Sequence, residues 1–126
     1  MIQPGDQIPF FEVRTTDGLR VAYRDLWQRS NVALVLIPSR EGAFEAYVSS
    51  LTRRMVELTA HDTAVVITSD PIDGVPSPAV IIGDRWGEIH HVVEGVDAAQ
   101  MPTPDALIEW LRYVQSQCPE CQGETR

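Results

Sequence analysis

The sequence predicts a single α/β domain built on a mixed sheet, and three observations carry that expectation. Strand-like and helix-like segments alternate along the chain, without repeats or low-complexity tracts. Val32 to Ile37 and Ala64 to Thr68 are apolar on both faces, as strands inside a covered sheet should be. Between them, over residues 41 to 60, apolar residues recur at helical spacing, the pattern of a crossover helix lying on a sheet. With 126 residues, 44% of them hydrophobic, the chain can bury one core without staples.

The elements follow in order. Phe10 to Arg14 and Leu19 to Ala22 flank Thr15-Thr16-Asp17-Gly18, and Asp-Gly between extended segments predicts a β-hairpin. Tyr23 to Arg29 reads as a short helix, and Val32 to Ile37 as the central strand. Pro38-Ser39 ends that strand, with Ser39 able to cap the helix that follows. Its stripe is Phe44, Tyr47, Val48, Leu51, Met55 and Leu58. Asp70 to Pro78, rich in proline, is a loop after the strand Ala64 to Thr68. Ala79 to Ile82 and Glu88 to Val93, joined by Asp84-Arg85-Trp86-Gly87, make a second hairpin. Thr103 caps the last helix, with Pro104 at its first position and a core stripe of Leu107, Ile108, Leu111 and Val114.

Charge narrows the partners. Eighteen acidic against ten basic residues leave −8, which repels phosphate backbones and anionic lipid, so neither nucleic acid nor a membrane surface is expected to bind. The basic residues are all arginines, which excludes lysine Schiff-base chemistry. The N-terminus shows no basic segment followed by an apolar stretch, and no apolar run can span a bilayer, so the expected location is the cytoplasm.

The two cysteines form one C-P-E-C motif, Cys118 and Cys121, just past the last helix. Such a pair can close a disulfide ring, shuttle electrons or supply half of a tetrahedral zinc site. Cys118 also continues the stripe of the last helix by four, so it can equally be that helix's final core residue. His90 and His91 are adjacent on a strand and should face opposite ways, leaving at most one for any given site, and His61 reads as exposed. A second C-P-E-C from another subunit could complete a four-cysteine zinc site across a homodimer axis. No phosphate-binding glycine loop and no nucleophile elbow is present.

This order of elements resembles the thioredoxin-like fold and, within it, the alkyl hydroperoxide reductase and thiol-specific antioxidant family, the peroxiredoxin-like redoxins. The residues that carry the likeness are Pro4-Gly5-Asp6-Gln7-Ile8-Pro9-Phe10-Phe11-Glu12-Val13, then Thr16-Asp17-Gly18 with Val21 and Tyr23-Arg24-Asp25-Leu26. Pro78-Ala79-Val80-Ile81-Ile82-Gly83-Asp84-Arg85-Trp86-Gly87-Glu88-Ile89 completes it. The resemblance implies a cis-proline at Pro78 and a reactive cysteine in the segment after the central strand. That segment reads Ile37-Pro38-Ser39-Arg40-Glu41-Gly42-Ala43-Phe44 and contains no cysteine. Ser39 cannot replace a thiol, because an alcohol is not appreciably ionised near neutral pH and forms no sulfenic acid. Arg40 and Glu41 read as a plain exposed pair.

The expectation is therefore a redoxin domain over residues 1–117, with a C-terminal C-P-E-C tail over 118–126. Its family active-site positions are Ser39, Arg40, Glu41 and Pro78. Three uses stay open. One is a non-catalytic binding or regulatory module, with a protein or dithiol protein as partner. The second is a thiol-disulfide oxidoreductase or peroxiredoxin-like antioxidant protein working through Cys118 and Cys121. The third is a zinc-clipped dimer. Because the pair follows the negative end of a helix, its thiol pKa values should be raised, which disfavours attack at neutral pH unless a metal deprotonates both sulfurs. No organic cofactor is expected.

Overall fold

The computed structural model describes residues 2–95 and 97–117. A small antiparallel hairpin, β1 (Glu12–Arg14) and β2 (Arg20–Ala22), precedes a four-stranded sheet. That sheet comprises β3 (Asn31–Leu36), β4 (Thr63–Thr68), β5 (Ala79–Gly83) and β6 (Ile89–Glu94), in the order β4-β3-β5-β6. β3 and β4 are parallel neighbours from Asn31↔Thr63 to Leu36↔Thr68, whereas β5 runs antiparallel to β3 from Leu36↔Ala79 to Val32↔Gly83. Every residue of β3 is buried, as its continuous apolar run requires of a strand covered on both faces.

Alternation along the strands divides the core into two layers. Ala33, Val35, Ile37, Val80 and Ile82 meet Val48, Leu51 and Leu58, together with Leu107 and Leu111. These come from α1 (Ala43–Thr52), α2 (Met55–Leu58) and α3 (Pro104–Ser116). On the other face Val32, Leu34, Leu36 and Ile81 pack under Ile8, Phe11, Val13, Tyr23 and Ile72. The α-helices of the described residues thus share one face, while the hairpin, a 3-10 turn at Tyr23–Asp25 and the loop before β5 cover the other.

Two expected helices differ from the sequence reading. The single helix over 41 to 60 is broken at Arg53-Arg54 into α1 and α2. Hydroxyls compete for helix carbonyls just ahead of the break: Ser50 Oγ donates to the Tyr47 carbonyl at 2.6 Å and Thr52 Oγ1 to that of Val48 at 2.9 Å. Tyr23 to Arg29 forms only the 3-10 turn and further turns, because Gln28 is left-handed (φ 69) and its N–H bonds the Arg85 carbonyl at 2.6 Å. Ser39 caps nothing either. The N-cap of α1 is Gly42, with no side-chain cap. The last helix matches its signals, since Thr103 Oγ1 accepts the Ala106 N–H at 3.2 Å and Pro104 opens α3. None of the described helices is long and apolar enough to cross a membrane.

The N-terminal segment closes over the second hairpin. Gly5 and Ile8 donate to the carbonyls of Ile89 and Gly87, and the Ile89 N–H returns a bond to the Asp6 carbonyl, each at 2.8 Å. At the opposite edge, the β1–β2 turn bridges to β4 through Thr15↔Thr68 and a 2.9 Å bond from the Thr16 N–H to the Ile67 carbonyl.

Candidate functional site

The C-terminal end of β3 collects the positions singled out in the sequence. Leu36 pairs with Ala79, so Ile37 and the segment after it run beside Pro78, which is buried and follows a cis peptide bond from Ser77. The Pro78 carbonyl accepts the Gly95 N–H at 3.2 Å, which ties this end to the end of β6. Arg40 does not pair with Glu41. Its guanidinium makes a bidentate contact with Glu45 on α1, Nε to Oε1 and Nη2 to Oε2 both at 2.7 Å, and Nη1 donates to the Thr16 carbonyl at 3.3 Å. Glu41 is exposed and Ser39 half-buried.

Beside Arg40 lies a cleft of about 330 Å³ between the β1–β2 turn, α1 and the outer edge of β4. Val48, Met55, Val65 and Ile67 make its apolar lining, and Arg40, Thr15 and Asp17 its polar rim. Thr15 Oγ1 donates to the Asp17 carboxylate, and Arg40 reaches the carbonyl of Thr16. The rim is therefore preorganised by its own hydrogen bonds. Pro78 does not line this cleft, so the structure brings Arg40 and Pro78 to one end of the sheet without joining them in one cavity.

A second group of functional side chains surrounds the turn between β5 and β6. Asp84 Oδ2 is 3.0 Å from His90 Nε2, and Glu88 joins them, with one ligand atom from each of the three residues within 4.8 Å of the others. Asp84 Oδ1 accepts the N–H groups of Trp86 at 2.9 Å and Glu88 at 3.0 Å, which fixes the carboxylate over the turn. Strict alternation would send His90 and His91 to opposite faces, but the register slips here: Gly83 pairs with Ile89 and Ile82 with His91, leaving His90 as an extra residue. Both histidines line one cleft of about 580 Å³ against α3. His91 stacks on Trp110, with ring centroids 4.5 Å apart, and burial followed by the neighbouring His90 lowers its pKa below the usual histidine value. His61 is exposed, as the sequence implied.

Under the same turn stands Tyr23, 1% exposed and packed against Phe10 and Phe11. Its hydroxyl is buried and has no hydrogen-bond partner among the described residues. Burial, then the charge of Asp84, pushes the phenol up to about 12. Sequence reasoning missed this grouping. The usable signal was Asp84, Glu88 and His90 spaced by four and two across a tight turn closed at Gly87, a spacing that groups them once the bulge at His90 is in place.

No family model and no curated protein matches the chain. Solved structures do. A reduced 2-Cys peroxiredoxin of Plasmodium vivax superposes with a TM-score of 0.74 at 14% identity, over 95% of this chain and 84% of that one. The AhpC of Mycobacterium tuberculosis gives 0.70 at 12%, over 95% and 98%. A thiol:disulfide interchange protein of the thioredoxin family from Chlorobium tepidum gives 0.62 at 11%, over 90% and 98%. The fold is thioredoxin-like, as in these proteins.

In this thioredoxin-like frame the described residues hold no cysteine, because Cys118 and Cys121 both lie outside them. The helix that leads to the pair is described, and it runs away from the Ser39–Pro78 end. Tyr47 Oη donates to the Pro102 carbonyl at 2.6 Å just ahead of α3, whereas near its C-terminus Gln115 Oε1 accepts from Asn31 Nδ2 at 2.8 Å, at the first residue of β3. Ser39 and Pro78 and the end of α3 at Gln117 thus lie at opposite ends of β3.

Proposed function

We infer that this thioredoxin-like domain is a binding or regulatory module and not a thiol peroxidase. The observation that carries this reading is the state of the segment after β3. It offers a hydroxyl at Ser39 where the resemblance implies a thiol, and its one cation is already engaged by Glu45 and by the Thr16 carbonyl. Beside it, the apolar cleft falls within the size range of small-ligand sites, about 300–1,000 Å³. A ligand there would bury an aliphatic body on Val48, Val65 and Ile67 and present hydrogen-bonding groups to the rim of Thr15, Asp17 and Arg40.

The competing reading, an oxidoreductase working through Cys118 and Cys121, is disfavoured by the direction of α3. By sequence the pair follows the C-terminal, negative end of that helix, a position that disfavours a thiolate, and the helix ends far along β3 from Ser39 and Pro78. Peroxide consumption by the full chain with a dithiol donor is the test. The rate should match a protein-free blank. Turnover that Cys118→Ser abolishes would overturn the reading and restore the oxidoreductase.

A further inference from the structure

We propose that Asp84, Glu88 and His90 form a binding site for a divalent transition-metal ion at the β5–β6 turn, with the Tyr23 hydroxyl behind it as an outer-sphere partner. One imidazole nitrogen and two carboxylates are a donor set that Zn²⁺ and Mn²⁺ both accept. Bonds of about 2.0–2.2 Å in such a site put donor atoms about 3–4 Å apart. Asp84 Oδ2 and His90 Nε2 are already 3.0 Å apart, and the full set lies within 4.8 Å, so one rotation of the exposed Glu88 side chain closes it.

The backbone prepares this arrangement. Two N–H groups hold Asp84 Oδ1, which leaves Oδ2 oriented toward His90 Nε2, in a contact that an ion bound between the two atoms would replace. The bulge that makes His90 an extra residue turns its ring toward Asp84. Arg85 does not compete with a cation, because its guanidinium points to Asp62, with Nη2 3.3 Å from the Asp62 carboxylate.

Tyr23 is the independent observation. A buried hydroxyl without a partner is costly and rare in a folded protein. This one reaches the underside of the turn that carries Asp84 and Glu88, 3.0 Å from the point where a Cβ on Gly87 would stand, a point that Gln7 Oε1 approaches to 2.7 Å and Trp27 Nε1 to 3.5 Å. A water or carboxylate on a bound ion supplies the partner it lacks, the arrangement by which outer-sphere groups orient metal ligands.

The experiment must separate this site from the C-P-E-C thiols, whose spacing also suits half of a zinc site. Mn²⁺ is the probe, since it favours oxygen and imidazole donors over thiolate. Titration of the full chain, followed by the loss of free Mn²⁺ signal in electron paramagnetic resonance and by quenching of Trp86 in the turn, should show one saturable site. His90→Gln and Glu88→Gln should each weaken binding at least about tenfold, Tyr23→Phe should weaken it about tenfold, and Cys118→Ser with Cys121→Ser should leave it unchanged. Unaltered circular dichroism and melting of Glu88→Gln, an exposed position, exclude misfolding as the cause. Absence of saturable binding up to millimolar Mn²⁺ would overturn the proposal. So would binding that survives the His90 and Glu88 variants, binding indifferent to Tyr23→Phe, or binding lost with the cysteines.

Discussion

Replacing Thr68 by valine tests how the hairpin is fastened to the sheet. Thr68 is fully buried at the end of β4, where its hydroxyl donates to the Arg14 carbonyl at 2.7 Å and accepts the Asp70 N–H at 3.0 Å. Valine keeps the shape and removes both bonds. Each orphaned backbone group costs about 1–3 kcal/mol while it stays buried. Arg14 is exposed and Asp70 half-buried, so water relieves part of the loss and the expected destabilisation is about 2 kcal/mol. Thr68→Ser keeps the hydroxyl and removes one methyl, worth about 1 kcal/mol. Urea unfolding of the three proteins measures both changes, and an unchanged slope shows that stability alone has moved. A Thr68→Val protein within about 0.5 kcal/mol of the parent, or a serine variant as damaged as the valine one, would refute the argument. Because Thr15 and Thr16 also dock on this strand end, the rim of the cleft beside Arg40 should loosen along with stability.

Two further outcomes follow from geometry and charge. Gly87→Ala should cost roughly 2 kcal/mol or more in the same assay, because Gly87 sits at φ +90 and an added Cβ would stand 2.7 Å from Gln7 Oε1 and 3.0 Å from Tyr23 Oη. A neutral result would mean that the turn relaxes freely. Acid should destabilise the fold through paired carboxylates: hydrogen bonds from Arg54 and from Arg20 hold Glu57 and Glu12 below their ordinary values. A folded-state pKa below the unfolded one stabilises above the unfolded value and loses that contribution as pH falls through the folded one. Urea midpoints should therefore drop between about pH 5 and pH 3, less steeply in Arg54→Met, and parallel slopes in the two proteins would exclude Arg54 as a cause.

The sequence displayed its fold wherever one physical signal acted alone. Val32 to Leu36 had to be an interior strand because it offers no polar face, and Thr103-Pro104 had to begin a helix because both residues suit that terminus and no interior. The break at Arg53-Arg54 was hidden because the apolar stripe runs through it unchanged from Leu51 to Leu58, while the hydroxyls that disturb the helix lie off the stripe. Gln28 gave no warning either. Its left-handed backbone answers to the Arg85 carbonyl, a partner far along the chain. The candidate site was legible by halves: Arg40 was visible, its partner Glu45 was not, since a five-residue offset between a loop and a helix has no sequence rule. The grouping of Asp84, Glu88 and His90 needed a bulge that no residue type announces.

The N-terminal segment that closes over the β5–β6 turn also constrains the order of assembly. Gly5 and Ile8 take their partners from Ile89 and Gly87, so joining them closes a loop of roughly eighty residues for a few main-chain bonds. Their partner carbonyls are in place only once the second hairpin has formed. Ile8 seats where Gly83 carries no side chain, in a notch beside the Glu88 carbonyl of the second hairpin. This segment is therefore expected to close late in folding, and its release would uncover the Tyr23 layer while leaving the helical layer packed, an order that hydrogen exchange at the Gly5 and Ile8 amides would report.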